Sequence, residues 1–592
     1  MLKKSILFAM CCIASLMTMA QPGGGGGAST TYTFGSDIGG LWQYNSSADV
    51  YYIVGLIYCS SPAVQSYEQM GIFVPAAYMN ATSNGDGSYT CTLNSTATVN
   101  GYTAATAPVV FPVNTSGYSA QSAPSGWSSS IADYTSAGYV YLWAGCRGRD
   151  NGAPLGVTDM KAAIRYFRYL QDEQGNVPGN AARIFTFGHS GGGAQSSLLG
   201  ASGNNALYDD YLTAIGAAAD YADNVCGSMC WCPITNLDMG DASYEWNMGL
   251  TRSSLSSADQ NISKGLAAVF AEYVNAVGFV HPSSGATLTL SATSDGYYQS
   301  GSYYEYIIEV VNDAVSRYNS YNNANVSSYS TTDASALSTF CSSYKSASKG
   351  LGAFDDYDAK SQAENTLFGI SGTAGHFDKY LADLVSQYAS SYYSSFSADL
   401  SSSNVDAVGR TVEQRLMMYT PLYYLIDNST YYNGGGSGSS TVAPYWRIRS
   451  GIKQGDAALC AEVNLALALQ AYDGVESVDF ETIWGKGHTE AEDSGDATDN
   501  FISWVATCCP AEGGTNSIDA PEQAASLKLY PNPVQSLLNI EADGVVNIYD
   551  NAGRLVKMAY PVDGRLSVDV STLPKGIYHA RCGMRASSFV VE

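Results

Sequence analysis

Hydrophobic and polar positions change their period several times along the chain, and the changes mark off segments of different architecture. From Val50 to Val113, β-branched and aromatic residues alternate and are broken by turn signals such as Asn84-Gly85-Asp86-Gly87, a pattern of antiparallel strands and hairpins. From Tyr139 the pattern becomes one of apolar strands separated by helical spacing. Gly138 to Trp143 reads as a strand. Thr158 to Leu170 reads as a helix with Met160, Ile164 and Phe167 near one face, and Arg183 to Phe187 as a second strand that runs into a small-residue helix through Leu199. A helical stretch around Tyr211 to Ala219 and an apolar segment from Val225 to Ile234 follow. Strands that alternate with helices predict an α/β fold with a mostly parallel sheet.

Between residues 241 and 441 this alternation stops. Helical stretches such as Ser263 to Phe279 and Ser302 to Tyr318 are separated by Ser, Tyr and Asn runs that end in Gly434-Gly435-Gly436. The segment is too long for a connecting loop and is expected to be an inserted lid. Strand and helix patterns resume at Tyr445 to Ile448, Leu459 to Leu469, Val475 to Ile483 and Asn500 to Thr507. The expected division is a core at 31–240 and 442–510, the lid at 241–441, a linker at 511–526 opened by Glu512-Gly513-Gly514-Thr515, and an all-β unit at 527–592.

Of 592 residues, 45% are hydrophobic and 14% charged, enough apolar content for more than one packed domain. The formal charge of -25 would repel phosphate backbones and anionic lipid, which argues against nucleic acid as a partner. Lys3 and Lys4 precede an apolar run from Ile6 to Met17, and Thr18-Met19-Ala20 offers small residues for cleavage before Gln21, so residues 1–20 read as a signal peptide and 21–30 as a Gly-rich leader. Cys11 raises a lipoprotein alternative that the preceding Met10 fits poorly. No segment is long enough to predict a transmembrane helix. Eleven of the 13 Cys lie after residue 20, and Cys226, Cys230 and Cys232 with Cys508 and Cys509 do not have the spacing of a zinc knuckle, so no metal or cofactor is expected.

Gly188-His189-Ser190-Gly191-Gly192 fits the G-x-S-x-G pattern between a strand and a small-residue helix, the context in which a serine becomes a nucleophile. Such a serine needs a base, and chain order in this arrangement is serine, acid, histidine. Five His are present. His189 adjoins the serine, His281 and His376 lie in the insertion and His579 in the tail, which leaves His488, on the loop after the last core strand. Gly455-Asp456 stands in the turn after the preceding strand, 488 − 456 = 32 residues earlier, and makes Asp456 the favoured acid; Asp473 and Asp479 are rivals. The N–H of Gly191 and one from the Asn114-Thr115-Ser116-Gly117-Tyr118 turn, assigned to Gly117, are expected to form the oxyanion site.

Two resemblances extend this reading. Tyr530-Pro531-Asn532-Pro533, Gly553-Arg554, Leu573-Pro574-Lys575-Gly576-Ile577-Tyr578 and Phe589-Val590-Val591-Glu592 resemble the type IX secretion (Por) sorting domain. That likeness implies the type IX machinery as a partner and export through the periplasm to the surface or medium. The stretches Ala144-Gly145-Cys146-Arg147-Gly148-Arg149-Asp150, Phe187 to Gly192, Gly227 to Asn236, Gly455-Asp456 and Trp484-Gly485-Lys486-Gly487-His488-Thr489 resemble the bacterial tannase family, galloyl esterases related to feruloyl esterases. The likeness runs from about Tyr51 to Val505. It implies an α/β-hydrolase with the triad on Ser190, Asp456 and His488, and phenol-binding residues at Lys349 and Glu364. The family's further phenol-binding Asp falls on Ala458.

The resulting expectation is a secreted serine esterase acting on small aryl esters, galloyl or hydroxycinnamoyl, of plant origin. Ala458 keeps two alternatives in view, an acetyl or short-acyl polysaccharide esterase on the same fold and an inactive surface binding protein.

Overall fold

The structure is a computed structural model that describes residues 31–345, 349–511, 527–542, 546–550, 555–559, 565–582 and 585–591. The expected signal peptide, the Gly-rich leader, residues 512–526 of the linker and the Gly553-Arg554 landmark lie outside the described residues.

Among the described residues, thirteen strands precede the tail. They are β1 (Gln43–Asn45), β2 (Val50–Ile57), β3 (Gln69–Pro75), β4 (Met79–Ser83), β5 (Tyr89–Leu93), β6 (Thr98–Val99), β7 (Tyr102–Thr103), β8 (Val109–Val113), β9 (Val140–Ala144), β10 (Ile184–His189), β11 (Gly227–Trp231), β12 (Tyr445–Gly451) and β13 (Ser477–Ile483). Nine of them form one sheet in the order β1-β2-β3-β9-β8-β10-β11-β12-β13, and β4 with β5 and β6 with β7 form separate hairpins. Pairing is antiparallel from β1 to β9 and parallel from β9 to β13. β8, β10 and β11 are buried along nearly their whole length, as strands covered on both faces must be, which explains their unbroken apolar runs. This is the α/β-hydrolase fold.

The parallel part begins earlier than periodicity predicts. β8 already belongs to it, although its five residues follow hairpins and carry no helical partner in the sequence before them. The helix expected at Tyr211 to Ala219 is the shorter Asp209–Ala214, because Gly216 adopts φ 65° and its N–H closes a turn on the Thr213 carbonyl.

After β8 the chain moves to β9 and then returns across β8 to β10, so the order reverses between β8 and β10. Open α/β sheets hold ligands at the carboxyl ends of strands at such a reversal. Among the described residues between β11 and β12 the named elements are helices, among them Gly240–Met248, Ser257–Val277, Ser302–Asn322, Ala363–Phe368 and Val412–Met418. Their buried apolar residues are continuous with those of the sheet, and Tyr303 of the insertion donates to Asn464 Oδ1 of the helix Leu459–Ala471 at 2.6 Å. Among the described residues, the tail has seven strands, from Lys528–Tyr530 to Arg585–Val591, around a small core of its own. No helix of the described residues is long and apolar enough to cross a membrane.

A buried ion pair anchors the segment that follows β9. Arg147 Nε and Nη2 donate to Asp159 at 2.9 and 2.6 Å, and the Arg147 N–H donates to the same carboxylate at 2.8 Å, with Glu68 3.7 Å away. Two residues on, Arg149 Nη1 donates to the Gly117 carbonyl at 2.6 Å. Removing one member of a buried pair strands the other charge. Asp159→Ala is therefore expected to cost about 3–5 kcal/mol in urea unfolding, whereas Arg410→Ala, which loses only a solvent-facing contact to Asp210, should cost less than about 1 kcal/mol.

Candidate active site

Ser190 sits between β10 and the helix Gly191–Ala201 with φ 61° and ψ -123°, a conformation that non-glycine residues avoid. The surroundings enforce it. A Cβ on Gly192 would lie 2.0 Å from the Val113 carbonyl oxygen, and one on Gly188 would lie 2.5 Å from the Gly192 carbonyl. Strand and helix thus pass at a separation only glycine permits, and the chain is driven through the strained position that points the serine out of the turn.

Ser190 Oγ lies 2.8 Å from His488 Nε2. His488 Nδ1 lies 2.6 Å from Gln454 Oε1 and 3.8 Å from Asp456 Oδ2. An amide oxygen only accepts, so Nδ1 carries the proton and Nε2 of the neutral ring accepts from Ser190. The loops that carry these groups are pressed together. A Cβ on Gly451 would lie 1.8 Å from the Gly487 carbonyl oxygen, and the Lys453 N–H donates to the Lys486 carbonyl at 3.0 Å. Burial pushes His488 below its ordinary value; Asp456 opposes that and Lys349 adds to it.

Of the other histidines, His376 is buried against Asp355 at 2.7 Å, His281 meets Glu309 at 3.3 Å and His579 faces Ser588 in the tail. The ring of His189 lies 4.7 Å from that of His488, and burial drives it down to about 4, which keeps it neutral near pH 7. Asp479 is engaged by Arg447 and Arg449, at 3.4 and 2.7 Å.

The turn Ser116–Tyr118 packs against the helix start. Gly117 has φ 56°, and its nitrogen lies 3.1 Å from the position a Gly191 Cβ would take, so the Gly117 N–H and the first N–H of the helix are neighbours. The leading N–H groups of a helix have no acceptor within it. The adjacent Tyr118, also at positive φ, donates its hydroxyl to the Ile234 carbonyl at 2.6 Å and pins this turn to the loop after β11.

The insertion supplies Lys349 and Glu364. Lys349 Nζ donates to the Ala353 carbonyl at 3.0 Å and lies 4.3 Å from the centre of the Phe354 ring. Glu364 is 3% exposed, its Oε2 makes no hydrogen bond, and burial raises its carboxyl while Lys349 and Arg149 act against the rise and Asp456 adds to it. Lys349, Arg149 and Asp456 thus lie close enough to Glu364 for their charges to act on it. Ala458 is buried at the N-cap of the helix Leu459–Ala471.

No motif in the sequence marks Gln454, Tyr118 or Arg149 individually. Gln454 lies two residues before Asp456 in the same turn, but pattern reasoning searches that turn for a carboxylate. Cys232, whose thiol donates to the Thr489 carbonyl at 3.2 Å and accepts from the Gly451 N–H at 3.3 Å, ties the ends of β11 and β12 to the His488 loop. Burial pushes that thiol up to about 12. Among the described residues, Cys232, His189 and His488 form a group of three whose donor atoms lie within 4.8 Å of one another and could hold a metal ion.

Known proteins resemble this chain in two regions. Residues 528–590 match a family model described as a secretion system C-terminal sorting domain. No curated protein sequence matches the chain. Among solved structures, the native tannin acyl hydrolase of Lactobacillus plantarum superposes with a TM-score of 0.60 at 28% identity, covering 78% of this chain and 94% of that one. A tannin acyl hydrolase in complex with ethyl gallate gives 0.59 at 28% identity with the same coverages. The tannase of Fusobacterium nucleatum gives 0.60 at 28% identity, with 78% and 95% covered.

Only a neutral His488 offers an Nε2 lone pair to the Ser190 hydroxyl. Ester hydrolysis is expected to rise with pH through an acid limb whose midpoint lies below about 6.5, the ordinary histidine value, read from kcat/KM between pH 4 and 9.

Proposed function

The chain is a tannase-like α/β-hydrolase, an ester hydrolase with a C-terminal sorting domain for export, and on that premise we propose that it cleaves aryl carboxylic esters through an acyl-enzyme on Ser190. The observation that carries the reading is the 2.8 Å contact between Ser190 Oγ and His488 Nε2 at a strained strand-to-helix turn.

In the proposed reaction His488 Nε2 takes the Ser190 proton as Oγ attacks the ester carbonyl carbon. The oxyanion of the tetrahedral intermediate meets the N–H groups of Gly191 and Gly117, dipoles already in place before charge develops. The imidazolium then returns the proton to the departing alcohol. Water, activated by the same histidine, attacks the acyl-serine and releases the acid. Gly117 is held for this task by Arg149, which donates to its carbonyl while its nitrogen lies beside the helix start.

The acyl group is assigned from the insertion. Glu364 brings a buried carboxylate oxygen without a donor close enough to Lys349 and Arg149 for their charges to act on it. A ring hydroxyl satisfies such an oxygen, and a substrate that lacks one leaves it unpaired, so a phenolic acyl group is favoured. This matches the ethyl gallate held by the related tannin acyl hydrolase. Ala458 favours a second reading, in which an acetyl or short-acyl polysaccharide ester is the substrate, because an alanine offers a ring hydroxyl no partner. The tail directs either enzyme to the cell surface or the medium, with the secretion machinery as its partner.

Ser190→Ala and His488→Ala are each expected to abolish turnover of methyl gallate, methyl ferulate and p-nitrophenyl acetate and, for Ser190→Ala, labelling by a fluorophosphonate. Full activity in either variant would refute the mechanism. Methyl gallate and methyl ferulate are expected to exceed p-nitrophenyl acetate in kcat/KM; the reverse order favours the short-acyl reading. Ala458→Asp is expected to raise the preference for gallate over ferulate by about 10-fold, the effect of one added hydrogen-bond partner.

A further inference from the structure

Two groups of different chemistry face Nδ1 of His488. Gln454 Oε1 is at 2.6 Å, within ordinary hydrogen-bond range, and the nearest Asp456 oxygen at 3.8 Å is outside it. The amide therefore holds the hydrogen bond, and the carboxylate acts as a nearby charge. Behind the amide lies a closed set of partners. Gln454 Nε2 donates to Ser450 Oγ at 2.7 Å and to Glu462 Oε1 at 2.6 Å, and Ser450 Oγ donates to the same Glu462 oxygen at 2.6 Å.

These bonds decide which way the amide points. Turning it over would set its oxygen against the Glu462 carboxylate and an N–H against the imidazole N–H. Gln454, Ser450 and Glu462 are 3, 1 and 1% exposed, so water relieves neither clash. The buried Glu462 thus reaches His488 through Gln454: it fixes the amide, the amide fixes the proton on Nδ1, and the lone pair of Nε2 is left for Ser190. An amide cannot provide the negative charge that stabilises an imidazolium. Asp456, 41% exposed and 3.8 Å away, can do so through space.

We infer that the two tasks a triad carboxylate combines are divided here, with Gln454 and Glu462 as positioning residues that orient His488 and Asp456 as the charge that stabilises its protonated form. The inference rests on the serine-esterase reading above. The groups that face His488 are Asp456 and Gln454 from the β12 loop, Lys349 from the insertion, His189 and Ser190 from the β10 turn, and Cys232 from the end of β11; burial raises the Glu462 carboxyl to about 7, and Lys345 is the cation that acts against the rise.

The test uses the full chain with p-nitrophenyl acetate, and rates are expressed per fluorophosphonate-reactive site so that misfolded protein does not count. Gln454→Leu and Glu462→Gln are each expected to lower kcat by about 10²-fold with KM within about twofold, as loss of a ring-orienting partner does, and their combination should lose little more than either alone. The exchange Gln454→Glu with Glu462→Gln restores an acceptor to His488 with an amide donor behind it, and should recover at least about tenfold of that loss. Asp456→Asn is expected to move the acid limb of kcat/KM to lower pH, since the charge that favours imidazolium is gone, and Gln454→Leu to move it less. Gln454→Leu or Glu462→Gln with kcat within about threefold of the unmodified protein, or an exchange variant no better than Gln454→Leu, overturns the inference and leaves the esterase reading intact. An unmodified protein that neither labels nor turns over ester overturns both.

Discussion

The site depends on the close passage of β10 and the helix Gly191–Ala201, where the carbonyls of Val113 and Gly192 occupy the space that side chains on Gly192 and Gly188 would need. That contact holds Ser190 at φ 61° against its intrinsic preference, and the packing of β8, β10 and the helix outweighs the strain. The consequences spread outward. The serine hydroxyl is carried to the carboxyl end of the sheet, the helix start is set against the Ser116–Tyr118 turn, and His488 finds the hydroxyl at 2.8 Å.

A second constraint operates on the histidine. Its loop is clamped to the β12 loop through Gly451 and Cys232, and within that clamp a buried polar network runs from Glu462 through Gln454 to the imidazole. Buried networks of this kind are stable only when every donor and acceptor is satisfied. Here that requirement gives the ring one tautomer. Asp456, at the solvent edge, is left to act by charge.

Much of this was legible in the sequence. Alternating strand and helix patterns predicted the parallel sheet, and the glycines around Ser190 predicted the turn, because both are local consequences of side-chain size and period. Elimination among five histidines pointed to His488, the one that meets Ser190 in the structure. The tail was legible from its landmark residues, and its match to a sorting domain over residues 528–590 agrees. β8 was misplaced among the antiparallel hairpins because five apolar residues look alike in parallel and antiparallel sheets, and the partner strands that decide the matter are Val140–Ala144 and Ile184–His189.

By itself the sequence determined the α/β alternation and the turn that exposes Ser190, since both are written in the spacing of neighbouring residues, while the α/β-hydrolase class and the sorting tail were implied by the resemblance of its motifs to known families. Only the tertiary structure decided what meets Nδ1 of His488. Gln454 and Asp456 are two residues apart in one turn, and a rule that looks for a negative partner selects the aspartate. The geometry gives the hydrogen bond to the glutamine because Glu462, buried in the first turn of the helix Leu459–Ala471, orients its amide. Which of two adjacent polar groups serves a histidine depends on what stands behind each, and that is a property of packing.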